Sequence, residues 1–212
     1  MIERLTTEGT AMARSDGSRH TIFPVATGPE EGESLRGWVL RESASQTIEV
    51  GLGYGISTLY TCEALSMSTE PAPRHLAIDP HQANRFSNCG LQFLDEAGVR
   101  HMVDHHSRES QIVLPRLVES GRRFDLAFID GNHRFDGVFL DLVYLGRLVR
   151  PGGIIFADDF QLPSVAKAVS FFVNNLDWTI EEVSAADERH NWAVLRTGRQ
   201  ADRRLFDHFV DF

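Results

Sequence analysis

The chain has 212 residues, 42% of them hydrophobic and 24% charged, which suits one globular domain with additions rather than two full domains. Its formal net charge of −9 argues against general nucleic-acid binding, which needs a basic face, and no apolar run approaches the ~20 residues of a membrane span. Two cysteines, Cys62 and Cys89, make neither a disulfide framework nor a zinc cluster, and Met1-Ile2-Glu3-Arg4 lacks the features of a signal peptide, so a cytoplasmic protein with a small-molecule substrate is expected.

Residues 1 to 32 are polar and broken by Ser15-Asp16-Gly17-Ser18 and Gly28-Pro29-Glu30-Glu31-Gly32, and read as an irregular N-terminal arm or lid. Leu35, Trp38, Val39 and Leu40 suggest a helix from Glu33 to Glu42. The stretch Thr47 to Tyr60 (T-I-E-V-G-L-G-Y-G-I-S-T-L-Y) reads as a strand, a tight turn with Gly51, Gly53 and Gly55, and the start of a helix. Glycine serves where the backbone needs positive φ or where a ligand approaches it closely. A second strand, His75 to Ile78, ends in Asp79, and a helix is expected from His81 to Ala97 with Gly98 as its stop.

A third strand spans Val99 to Asp104, and Ser107 is expected to cap a helix running to Gly121. Phe124 to Ile129 is a fourth strand ending in Asp130, followed by a helix from Phe135 to Val149. Ile154 to Ala157 is a fifth strand, ending in Asp158 and Asp159, and a helix covers Leu162 to Asn175. Trp178 to Val183 and Trp192 to Arg196 suggest a closing hairpin, joined by Ser184 to His190. Leu205, Phe206, Phe209, Val210 and Phe212 put an apolar stripe on a C-terminal helix over 199–212, suited to core or dimer contact, and a homodimer is expected.

Strands alternating with helices imply an α/β, mostly parallel, doubly wound sheet with the main domain over 33–198. Strand after strand ends in a carboxylate, and in such sheets ligands bind at the carboxyl ends of the strands. The dinucleotide fingerprint G-x-G-x-x-G fails here, because Ile56 stands where its third glycine belongs. That argues against a nicotinamide-dependent oxidoreductase, the reading from another enzyme class.

The pattern Glu49-Val50-Gly51-Leu52-Gly53-Tyr54-Gly55 resembles the first motif of the class I S-adenosylmethionine-dependent methyltransferases. Asp79 resembles the acid that ends that family's second strand, and Leu148-Val149-Arg150-Pro151-Gly152-Gly153 resembles the segment before its fifth strand. The segments Ile129-Asp130-Gly131-Asn132-His133 and Ala157-Asp158-Asp159 are most similar to small-molecule O-methyltransferases of the macrocin and catechol type. The resemblance covers roughly 33 to 197. It implies a Rossmann-like sheet in the order 3-2-1-4-5-7-6, with an antiparallel C-terminal hairpin. It implies cofactor contacts from Glu49, Gly51, Gly53, Tyr54, Gly55, Ser57, Asp79, Pro80, His81, Ser107 and Asp130. Glu49 would hold the methionine amino end, directly or through water, and Asp79 would take both ribose hydroxyls. His81, Asp104 and Ser107 are candidates for the adenine surroundings, or plain loop and cap residues.

The family's strand order would place the fourth and fifth strands side by side, about 4.8 Å apart. Asp130, Asp158 and Asp159 would then crowd one spot, and close carboxylates call for a cation, here Mg2+ or a similar divalent ion. Asn132 or His133 stays open as a further ligand. His133 takes the position of the general base, with Asp130 beside it; His20, His105 and His106 are the other candidates. The implied activity is metal-assisted O-methylation of a small hydroxylated metabolite. The alternatives are a metal-independent methyltransferase on a carboxylate, phosphonate or amine, and a non-catalytic cofactor-binding module.

Overall fold

The computed structural model describes residues 1–184, 191–199 and 204–212. These residues divide into two compact units, Met1–Ser110 and Gln111–Phe212.

In the first unit, helix α1 (Ile2–Glu8) is closed by Gly9, whose N–H donates to the Leu5 carbonyl from a left-handed conformation. Strands β1 (Thr10–Met12) and β2 (Arg19–Thr21) then form an antiparallel hairpin. The segment read as an irregular arm is therefore folded. Leu5, Ala11, Ala13 and Ile22 are buried with Tyr54, Ile56 and Tyr60 in one cluster. Leu5 and Ile22 stand isolated, and the single alternation of Ala11 and Ala13 is too short to announce a strand.

Helix α2 (Pro29–Arg41) starts four residues before the expected Glu33. Pro29 has the φ that a first helical turn needs, and Glu30 and Glu31 favour the positive end of the helix dipole. The parallel strands β3 (Gln46–Val50), β4 (Arg74–Ile78) and β5 (Val103–His106) run in the order β5-β4-β3. Helix α3 (Ile56–Ser66) follows the glycine turn and is buried on nearly every face. The expected helix from His81 shrinks to α4 (Cys89–Glu96). Ser87 and Asn88 take left-handed φ of 46° and 58°, and the residues before them are held by side-chain bonds described below. The expected strand at Val99 begins only at Val103, because Arg100–Met102 form a 3-10 turn.

In the second unit, α5 (Ser110–Glu119) precedes β6 (Phe124–Ile129), α6 (Phe135–Leu148), β7 (Val149–Ala157) and α7 (Pro163–Asn175). The closing strands are β8 (Thr179–Val183) and β9 (Ala193–Arg196), and the order is β6-β7-β9-β8. β6 and β7 are parallel, and β9 is antiparallel to both β7 and β8. The two halves therefore read 3-2-1 and 4-5-7-6 in the expected numbering, and the C-terminal hairpin is present. Most of its expected connection, residues 185–190, lies outside the described residues.

The expected C-terminal helix differs. Residues 204–212 are non-helical, and 200–203 lie outside the described residues. A short isolated helix is marginal in water. Here Asn175 claims the backbone of Val210 instead, donating to its carbonyl at 2.9 Å and accepting from its N–H at 2.8 Å. Phe212 packs edge-on against Phe171 at 5.1 Å.

Candidate active site

The glycine turn joins β3 to α3. Gly51, Gly53 and Gly55 all have positive φ, and Gly55 caps α3 in a left-handed conformation closed to a φ of 75°. Gly51 N–H donates to the Ile78 carbonyl at 2.9 Å, which fixes the turn to β4. A Cβ on Gly53 would meet nothing nearer than the Phe86 ring edge at 4.0 Å, so the space beside its Cα is open. The turn is supported from the side by Gly90 in the first turn of α4. A Cβ at Gly90 would stand 2.6 Å from the Gly53 carbonyl oxygen and 2.9 Å from Gln82 Oε1.

Glu49 is fully buried, below this turn. Its Oε1 accepts from Ser57 Oγ at 2.9 Å, and its Oε2 accepts from Thr58 Oγ1 at 2.7 Å and lies 2.8 Å from His75 Nε2. His75 Nδ1 in turn lies 2.9 Å from Thr47 Oγ1. Glu49 and Ser57 thus face each other, and the carboxylate ties β3, β4 and the start of α3 together. Tyr54 is also buried, its ring edge-on to Phe86 at 5.1 Å and its hydroxyl 3.2 Å from His20 Nδ1. His20 Nε2 lies 2.8 Å from Ser18 Oγ, which donates to Asp16. That chain joins the β1–β2 hairpin to the glycine turn.

Asp79 is 3% exposed at the end of β4. Its Oδ2 accepts from Gly53 N–H at 2.8 Å and Gln82 Nε2 at 2.9 Å, and its Oδ1 accepts from His81 N–H at 2.7 Å. Gln82 also donates to the Gly53 carbonyl at 2.7 Å. Pro80 is half-buried and His81 exposed. Ser107 is exposed and stands three residues ahead of α5, so it does not cap that helix as expected. His105 Nε2 lies 3.1 Å from the Asp79 carbonyl, and burial lowers its pKa. His106 faces the exposed Asp104 at 3.4 Å.

The second constellation stands at the carboxyl ends of β6 and β7. Ile129 pairs with Ala157, so Asp130 and Asp158 leave the two strands at one level. Asp159 sits in a left-handed conformation with φ of 54°, uncommon outside glycine, and its N–H donates to Asp158 Oδ1 at 2.6 Å. His133 lies between two carboxylates, with Nε2 3.2 Å from Asp130 Oδ1 and Nδ1 3.0 Å from Asp159 Oδ2. Asp130, His133 and Asp159 each offer one ligand atom within 4.8 Å of the others, the only such trio of metal-competent side chains among the described residues. Asp158, expected as a ligand, is outside that trio, and exposed Asn132 accepts from Arg134 N–H at 3.1 Å.

Charge explains this grouping. Burial pushes the Asp130 carboxyl above its ordinary range; the His133 contact opposes that shift, and Asp158 and Asp159 add to it. Hydrogen bonds to Asp130 and then Asp159 raise His133 well above an ordinary imidazole. A proton is therefore shared within the Asp130–His133–Asp159 group, a role that a divalent cation can take over.

Several supporting residues escaped sequence reasoning. Gln161 Nε2 donates to Asp159 Oδ1 at 2.7 Å, and Ser164 Oγ donates to the His133 carbonyl at 2.6 Å. Gln82, Gly90 and His75 do the same for the glycine turn and its acids. The usable signal was a glutamine two or three residues after a strand-end acid, as at Gln82 and Gln161.

A family model described as a methyltransferase domain matches residues 48–160. Caffeoyl-CoA O-methyltransferase 2 of Zea mays is 32% identical over 192 residues, covering 85% of this chain and 70% of that protein. The chain belongs to the class I S-adenosylmethionine-dependent O-methyltransferases. Tricin synthase 2 of Oryza sativa subsp. japonica is 32% identical over 145 residues, 67% of this chain and 47% of its own length, so the matched part is about half of that relative. The O-methyltransferase from Bacillus cereus in complex with SAH superposes with a TM-score of 0.69 at 15% identity, covering 92% of this chain and 88% of that one, which shows the shared fold.

The methyltransferase's glycine turn and Asp79 fit S-adenosylmethionine. The space beside the Gly53 Cα is open, and Asp79 carries one donor on Oδ1, where an oxygen has room for two. Two carboxylates and an imidazole fit a divalent cation.

Proposed function

We propose that this chain transfers the methyl group of S-adenosylmethionine to a hydroxyl oxygen of a small acceptor, with Asp130, His133 and Asp159 receiving that hydroxyl. The observation that carries the reading is the Asp130–His133–Asp159 trio at the ends of two parallel strands, in a chain of this family. The bound cofactor would supply a methyl on a cationic sulfur; attack by the acceptor oxygen breaks the carbon–sulfur bond and forms the carbon–oxygen bond. The backbone of Gly51, Gly53 and Gly55 would lie along the methionine part, with Tyr54 fixing the turn. Asp79 would hold the ribose, with Pro80 and His81 beside the adenine.

A divalent cation on Asp130, Asp159 and either His133 or Asp158 would neutralise the acids and lower the acceptor's pKa. Mg2+ suits the carboxylates, whereas the imidazole nitrogen favours a first-row ion such as Mn2+ or Zn2+. With the cation on Asp130, Asp159 and Asp158, the proton held by His133 would pass to solvent, and the freed imidazole would accept the acceptor's proton. Relatives named for caffeoyl-CoA and tricin support a hydroxylated small acceptor. The net charge of −9 favours a small molecule over nucleic acid, and no helix among the described residues is long and apolar enough to cross a membrane. The exposed Leu205, Phe206 and Phe209 and the two buried free cysteines support a homodimer in a reducing cytoplasm.

The test measures S-adenosylhomocysteine binding by calorimetry and methyl transfer to a panel of hydroxylated aromatic acceptors, each with EDTA, Mg2+ or Mn2+. The reading expects binding without metal and transfer that rises with metal. Absence of S-adenosylhomocysteine binding would sink it, and an Asp130→Ala variant with an unchanged metal response would sink the metal part.

A further inference from the structure

We infer that Gln82 limits Asp79 to reading one ribose hydroxyl rather than two. The inference rests on the proposed binding of S-adenosylmethionine at the glycine turn. An ionised carboxylate offers about four acceptor sites, two on each oxygen. Three are taken in this structure. Gly53 N–H and the Gln82 amide fill Oδ2, and His81 N–H takes one place on Oδ1. One place on Oδ1 is left for the cofactor. A ribose diol held through both hydroxyls needs two.

The Gln82 side chain has little freedom to yield. It is 2% exposed, and both hydrogens of its amide nitrogen are committed, one to Asp79 and one to the Gly53 carbonyl. Its Oε1 is buried without a hydrogen-bond partner, which a turn of the amide would not cure. Turning it would set Oε1 against the Gly53 carbonyl and the Asp79 carboxylate, two acceptors. The orphaned oxygen is therefore the mark of an amide oriented by Asp79, and Gly90 packs directly against it. The backbone donors from Gly53 and His81 belong to the fold of the turn itself. Gln82 is the one side-chain donor among the three, so it decides whether a second hydroxyl is read. It is a specificity residue that acts through Asp79.

The experiment compares S-adenosylhomocysteine with its 2′-deoxy and 3′-deoxy analogues by isothermal titration calorimetry, for the wild-type chain and for Gln82→Met and Gln82→Leu. For the wild type, one analogue should bind within twofold of the parent and the other about 10- to 100-fold more weakly, the range for one hydrogen bond to a charged acceptor. In the variants the second site on Oδ2 opens, and both analogues should bind more weakly than the parent. Comparable losses from both analogues in the wild type would overturn the inference. So would a wild-type pattern retained by folded variants. The wild-type series decides the number of hydroxyls by itself, even where a variant melts early. Failure of the wild type to bind S-adenosylhomocysteine at all would instead remove the proposed function.

Discussion

Gly90→Ala, with Gly37→Ala as its counterpart, tests how tightly the glycine turn is held. A Cβ at Gly90 would stand 2.6 Å from a backbone oxygen that has no flexible end to swing away. Reaching van der Waals distance takes a retreat of roughly 0.8 Å by α4 or by the turn. Forced overpacking of this kind costs about 1–3 kcal/mol, and the gain in helix propensity of up to ~1 kcal/mol offsets part of it. The net loss is then up to about 2 kcal/mol, or a melting temperature lower by up to roughly 8 °C for a chain of this size. Gly37 lies inside α2, and a Cβ there would meet nothing within 4 Å. The same substitution at Gly37 should raise stability by about 0.5–1 kcal/mol. Thermal melts of both variants read the contrast, and calorimetry with S-adenosylhomocysteine should show weaker binding only for Gly90→Ala. A Gly90→Ala protein that melts and binds like wild type would refute the contact as the constraint on the turn.

Glu49→Leu should destabilise the chain by about 3–5 kcal/mol, because it strands His75, Ser57 and Thr58 in the interior; urea unfolding reads it, and His75→Leu combined with Glu49→Leu should cost less than the two changes added together. Asn175→Leu should release the backbone of Val210, seen as faster hydrogen exchange confined to the last residues, with a small change in overall stability. His133 offers a pH test. Its hydrogen bonds to Asp130 and Asp159 raise its pKa from 6.5 to about 10, so its contribution is complete below 6.5 and is lost as pH climbs through 10. In EDTA the melting-temperature gap between wild type and His133→Asn should therefore close between pH 6.5 and 10, and a constant gap would contradict the assigned contacts.

What could be read in advance was local. Asp79, Asp130, Asp158 and Asp159 announce themselves as acids directly after apolar strands, and three alternating glycines mark a tight turn. The C-terminal hairpin showed through its apolar residues, Trp178, Ile180, Trp192 and Leu195. The partners were illegible because they depend on tertiary geometry. Nothing near Glu49 signals that His75, on the neighbouring strand, will share its carboxylate. The stripe at Leu205, Phe206 and Phe209 has helical spacing, yet Asn175, about thirty residues earlier, takes the backbone groups that a helix would use. The interior of the N-terminal segment was missed for a related reason. Leu5 and Ile22 are buried only because α1 and the hairpin fold onto Tyr54 and its neighbours.

That hairpin also links two regions usually thought of separately. Its tip, Ser15-Asp16-Gly17, is exposed, and Ser15 and Asp16 bond to Ser87, while Arg14 meets Glu96 on α4 at 2.8 Å. Through Ser18 and His20 the same tip reaches the Tyr54 hydroxyl. A ligand that stiffens the glycine turn would stiffen this loop as well, so its cleavage by a protease would slow in proportion to occupancy. The hairpin tip would then serve as a built-in footprint of cofactor binding, readable on a gel without any label on the ligand.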